Sequence, residues 1–129
     1  MAKMRRRRAE DAEAYRQAND VVMNDDACEV VITGPSEPWI SEFTRQLVEA
    51  RLAACGHIIP HIRSIYLWAA SIHDETEARV ALHTRRSLVP RIIELASDAH
   101  PYDVPCVIVL PISDGNPVYL AWVAAETET

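Results

Sequence analysis

The sequence predicts an α+β domain on the split βαβ, ferredoxin-like plan: βαββαβ around an antiparallel sheet, with a short C-terminal helix. Three observations carry this expectation. Two stretches repeat apolar residues at steps of three and four, and each lies between segments that are apolar in alternation or in an unbroken run. The middle two strand-like segments follow one another with no helical stretch between them, so they read as a hairpin. Near the C-terminus, Pro101 and Pro105 fence off the apolar run from Cys106, and Asn116-Pro117 opens a final helix.

Val30 to Thr33 is a β-branched run ended by Gly34-Pro35, a first strand and its exit turn. Ser36 or Glu37 caps a helix with Pro38 in its first turn; Ile40, Phe43, Leu47, Ala50 and Ala54 form its stripe, and Gly56 is expected to close it. Ile58 to Trp68 reads as a strand that Pro60 marks as bulged or at an edge. Glu75 to Thr84 alternates, with Ala78, Val80 and Leu82 inward and Glu77, Arg79 and His83 outward. Ser87 is expected to cap a second helix with Leu88, Ile92, Leu95 and Ala99 on its apolar face, stopped by Pro101. Val104 to Leu110, lacking alternation, reads as a central strand.

The 129 residues divide into a charged extension, 1–24, and one domain, 25–129. Residues 1–20 carry a net charge of +2 and the remainder −8, making up the total of −6. An acidic body argues against a nucleic-acid groove. Lys3 is the sole lysine, which excludes Schiff-base chemistry and a P-loop lysine, and three isolated glycines exclude a phosphate-cradling loop. The run Arg5 to Arg8 is followed by Glu10, Asp11 and Glu13, with no apolar region, so neither a secretory signal nor a membrane partner is expected. Cys28, Cys55 and Cys106 lie far apart, as reduced thiols of a cytoplasmic protein would. Charge without apolar periodicity cannot offset the entropy of ordering a chain. Deleting residues 1–20 is therefore expected to leave the thermal melt of the full chain unchanged, and a drop of many degrees would show that the extension packs.

Four chemical groupings stand out. His57, His61, His73, His83 and His100, with the cysteines, are the soft or imidazole ligands. His83, Thr84, Arg85 and Arg86 precede the second helix and would suit a small anion, although solvated arginines are the more ordinary reading. His100, Tyr102 and Asp103 bring imidazole, phenol and carboxylate together, but no nucleophile or oxyanion donor pair is legible beside them, and no enzyme is expected. Tyr66 and Trp68 on one strand face, with Tyr119 and Trp122 on the last helix, suit either the protomer's core or a subunit contact.

His100-Pro-Tyr-Asp-Val-Pro105, Gly115-Asn-Pro-Val-Tyr-Leu-Ala-Trp122, Leu52-Ala-Ala-Cys55 and Ser64-Ile-Tyr-Leu-Trp68 occur in an order and spacing that resemble the CutA family of divalent-cation tolerance proteins, over roughly residues 28 to 123. The resemblance implies a homotrimer joined through strand edges, a link to divalent metal tolerance and no assigned reaction. It implies contact with copper or another divalent cation that is weak at most, since the family's proposed copper ligands fall on Ile32, Ala99 and His100; Cys55 matches a family cysteine, and Cys106 adds a further soft ligand on its own chemistry. It also points to an intersubunit ligand pocket near Tyr66, Trp68, His83, Thr84, Arg85, Arg86, Tyr102 and Asp103, whose specificity the chain's departures put in doubt: His83 replaces a lysine, Trp68-Ala69-Ala70-Ser71 a Trp-Glu-Gly-Lys hairpin, and Cys106 an acidic residue. A competing reading keeps the fold and makes the protein a signalling module similar to the PII proteins, holding a small anion between subunits.

Overall fold

The structure, a computed structural model, describes residues 25–127; the extension assigned to residues 1–24 lies outside them. Four strands form one antiparallel sheet: β1 (Ala27–Gly34), β2 (Cys55–Trp68), β3 (Ser71–Arg85) and β4 (Val107–Pro111), in the order β2-β3-β1-β4. Helices α1 (Glu37–Glu49) and α2 (Val89–Ala99) cross between strands, and α3 (Pro117–Glu126) follows β4. This is the predicted ferredoxin-like plan.

Strand alternation builds the core. Cys28, Val30 and Ile32 of β1 and Ala78, Val80 and Leu82 of β3 point to one face, where Ile40, Phe43 and Leu47 of α1 and Val89, Ile92 and Ala96 of α2 cover them. Residues of the other parity lie on the second face, where Ala121, Val123 and Ala124 of α3 are buried and the Tyr119 hydroxyl reaches His83. The two faces thus serve different purposes, and α3 brings the second one its chemistry.

Several local expectations are corrected. Gly56 does not close α1. The helix ends in a Schellman turn with Arg51 in the left-handed region at φ 60°, the Leu52 N–H donating to the Leu47 carbonyl at 2.9 Å and the Arg51 N–H to Val48 at 3.0 Å. Gly56 lies in β2 instead, where a Cβ would come within 2.5 Å of Thr44 Cγ2, so the close approach of α1 to the sheet requires glycine there. Ser87 is not the cap of α2. It sits in a 3₁₀ turn, Arg86–Leu88, ahead of the helix, and Ala96 rather than Ala99 completes the buried stripe. Val104 to Leu110 is not a central strand: β4 starts at Val107 and lies at the sheet edge, with Val107 and Val109 against the core and Ile108 and Leu110 exposed. Its lack of alternation reflects an apolar outer face rather than burial on both sides. Glu77, expected outward into water, is buried and accepts a hydrogen bond from the Tyr102 hydroxyl at 2.9 Å.

Ser36 and Asn116 cap α1 and α3 as the sequence indicates, their side chains accepting from the Trp39 N–H (3.3 Å) and the Val118 N–H (2.9 Å). The β2–β3 register slips between Ile59 and Ile62, around Pro60. Beyond that slip the hairpin outruns the sheet. β1 pairs with β3 only over Ala78 to Arg85, so residues 62–77 form a two-stranded arm. Its tip, Ala69-Ala70, has both residues at positive φ (51° and 64°), the two-residue turn whose twist suits a hairpin.

A clasp joins the start of the sheet to α2 and α3. Arg85 Nη1 donates to Asp25 Oδ2 at 2.8 Å, the Ser87 N–H to Asp25 Oδ1 at 2.9 Å, and Arg85 also holds the Thr127 hydroxyl at 3.0 Å and the Thr127 carbonyl. Burial pushes the Asp25 carboxyl up, but the Ser87 hydrogen bonds and the Arg85 charge outweigh it and hold the group below the ordinary carboxylate value. A depressed folded-state pKa contributes stability that is present above the unfolded value, near ~4, and lost as pH falls through the folded one. Asp25→Asn is expected to lower the melting temperature at pH 7 by several degrees, the equivalent of about 1 kcal/mol. The gap should close as pH falls below about 4; a gap independent of pH would show that the charge contributes nothing.

Candidate functional site

The residues expected to share one site separate into three places. Tyr66, Trp68, Tyr102 and Asp103 do converge, with Glu77 and Cys106, on a groove of about 740 Å³ between the arm and the loop before β4. The groove lining is acidic through Glu77 and Asp103: Tyr102 donates to Glu77 at 2.9 Å, and Tyr66 donates to the neighbouring Glu75 at 2.8 Å, while Arg63, the lining cation, is taken up by Asp74 at 2.8 and 2.6 Å. Burial first, and the Glu77 hydrogen bond second, push the Tyr102 phenol far above its ordinary value, so it stays a neutral donor.

The second place is the clasp. Arg85 is committed to Asp25 and Thr127, and the buried Thr84 hydroxyl donates to the Leu52 carbonyl at 2.6 Å. The anion site read from His83, Thr84, Arg85 and Arg86 is therefore filled by the protein's own Asp25 carboxylate, with Arg86 alone of the two arginines exposed. His100 is likewise accounted for. Its Nε2 donates to the Thr33 carbonyl at 2.7 Å, its Nδ1 accepts from the Tyr102 N–H at 3.1 Å, and the ring packs against Trp39 and Tyr102. A carbonyl can only accept and an N–H only donate, so both ring nitrogens are used in the neutral tautomer and neither is left for a metal. Cys106 is exposed beside Thr33, at the opposite end of β1 from Cys55, so the three residues read as metal contacts do not meet.

The third place holds a grouping that sequence reasoning missed. Cys55, His57 and His83 offer one thiol and two imidazoles whose donor atoms all lie within 4.8 Å of one another. Cys55 and His57 are two apart on β2 and so share a face, and His83 is the cross-strand partner of Cys55. Cys55 Sγ is 3.8 Å from His83 Nδ1, and the Tyr119 hydroxyl stands against both, 3.2 Å from the sulfur. On the other side of the ring, His83 Nε2 faces Glu29 Oε1 at 3.3 Å. Burial raises the Cys55 thiol and, with the sulfur contact, the Tyr119 phenol. The signal legible in the sequence is Cys55-Gly56-His57, a Cys-X-His spacing that puts two donors on one face of a strand; His83, 28 positions on, carries none.

Comparison with known proteins follows the same outline. The profile of the CutA1 divalent ion tolerance protein family matches residues 28–126. A curated relative called Protein CutA from Mus musculus is 45% identical over 98 residues, covering 76% of this chain and 55% of its own length. The chain thus spans about half the length of that relative. The divalent-cation tolerance protein CutA of Thermus thermophilus is 39% identical over 98 residues, covering 76% of this chain and 95% of its own. A solved divalent cation tolerance protein structure from Thermus thermophilus superposes with a TM-score of 0.76 at 37% identity, over 79% of this chain and 99% of that one.

Proposed function

The chain belongs to the CutA1 divalent ion tolerance family, and on that premise we propose that it acts in tolerance of divalent metal ions, copper among them, as a homotrimer that binds rather than catalyses. The observation that carries the assembly is the arm, residues 62–77. An isolated two-stranded ribbon is marginal in water. This one exposes Ile65 by 63%, Leu67 by 66%, Trp68 by 52% and Ile72 by 71%, and among the described residues its outer edges pair with no further strand. Copies of the chain closing around a threefold axis would cover those side chains and pair those edges. The free state of Cys28, Cys55 and Cys106 suits a reducing compartment, the cytoplasm in this reading; among the described residues no helix is long and apolar enough to cross a membrane.

The small-anion alternative loses support, because Arg85 is engaged by Asp25 and the groove around Tyr66 and Tyr102 carries Glu77 and Asp103. Light scattering of the full chain is expected to return three protomers per particle at micromolar concentration, and a strain lacking the chain is expected to grow poorly under copper and recover when it is restored. A monomer would refute the assembly, and unchanged copper sensitivity the tolerance role.

A further inference from the structure

We propose that Cys55, His57 and His83 form a binding site for one thiophilic d10 cation, zinc(II) or copper(I), on the sheet face beside α3. The inference rests on the tolerance reading for its cellular setting, while its chemistry stands on the donor set. Metal–sulfur bonds near ~2.3 Å and metal–nitrogen bonds near ~2.0 Å place tetrahedral donors roughly 3.5 Å apart. Cys55 Sγ and His83 Nδ1 are already 3.8 Å apart, and His57, exposed and edge-on to the His83 ring with 5.2 Å between centroids, completes a set within 4.8 Å. Thiolate and imidazole suit such ions, whereas magnesium and calcium take oxygen.

A second observation points the same way. Glu29, Cys55 and His83 lie on one rung across three adjacent strands: His83 pairs with Glu29 on β1 and with Cys55 on β2. Glu29 accepts from His83 Nε2, which fixes the tautomer and leaves the Nδ1 lone pair directed at the sulfur side. A carboxylate behind the imidazole, on the nitrogen away from the cation, is the arrangement that orients histidine ligands. In this structure the Tyr119 hydroxyl donates to Nδ1 and stands in the cation's place. On binding, Nδ1 exchanges that hydrogen bond for the metal, the Cys55 thiol loses its proton to solvent as the metal–sulfur bond forms, and a water completes the fourth position.

The test uses the full reduced chain without oxygen and cobalt(II) as probe. One cobalt per protomer is expected, with a thiolate-to-cobalt charge-transfer band that zinc(II) abolishes; competition with a copper(I) chelator then ranks the two ions. Cys55→Ser should remove the band, His57→Ala should weaken binding at least tenfold, and Glu29→Gln should weaken it about tenfold with the band retained. Cys106→Ser should change nothing. His57 is exposed, so its variant should melt with the parent. Absence of the band in the unmodified chain, its persistence in Cys55→Ser, or unchanged affinity in His57→Ala would overturn the site. Those results would leave the tolerance reading standing, and unchanged copper sensitivity of the deleted strain would refute that reading without touching the site.

Discussion

Placing charges on the arm, as Leu67→Glu with Ile72→Asp, is expected to take the proposed homotrimer to one third of its particle mass while each protomer stays folded. Leu67 and Ile72 are cross-strand partners, both exposed by more than half in the single chain. Substitutions at such positions change protomer stability by no more than about 0.5 kcal/mol. In a closed ring the same two changes recur at every interface. Each removes the burial of a large aliphatic side chain, about 1.5–3 kcal/mol, and adds a carboxylate that would have to be desolvated. The combined loss exceeds what a micromolar assembly can tolerate. Light scattering and circular dichroism on the same sample check both halves. A trimer that survives would place the contact elsewhere, and loss of the far-ultraviolet signal would show that the arm supports the protomer itself.

His100→Ala is expected to lower stability by about 2–4 kcal/mol and to leave metal binding as it was. The buried ring bridges the Thr33 carbonyl and the Tyr102 N–H and fills the space between Trp39 and Tyr102. Removing it strands one acceptor and one donor and opens a cavity, and the loop that carries Tyr102 over Glu77 loses its anchor. His100→Gln, able to reach one of the two partners, should recover part of the loss. Chemical denaturation measures the difference. A change below 1 kcal/mol, or a loss of cobalt binding with stability intact, would return His100 to the role of ligand.

How far these residues were legible in the sequence depends on the range of the interactions that set them. Ser36, Pro38, Asn116 and Pro117 act within one helical turn, and alternation in β3 needs only neighbouring positions, so both were readable; the caps hold, and the alternation holds from Ala78 onward. The end of α1 was not. A Schellman turn favours glycine at its left-handed position, and here Arg51 occupies it while Gly56 answers a tertiary demand, the approach of Thr44 to β2. The edge position of β4 was equally hidden, since strand order is a matter of pairing partners far apart in the chain and an apolar outer face mimics burial. Glu77 reads as a wet residue until Tyr102, 25 positions away, covers it.

By itself the sequence determined the order of elements, the N-terminal caps of α1 and α3, the core faces of α1 and β3 and the family resemblance, because each of these is written in periodicity or in short motifs. Only the tertiary structure decided which polar groups meet. His83 lies 28 positions from Cys55 and Tyr119 lies 64 from it, and they come together because β-sheet register and the return of α3 over the second face bring them there. The same long-range geometry closes Arg85 around Asp25 and uses both nitrogens of His100, which removes two expected sites. A side chain's chemistry is local, but whether it is free to act depends on partners that only the folded chain supplies.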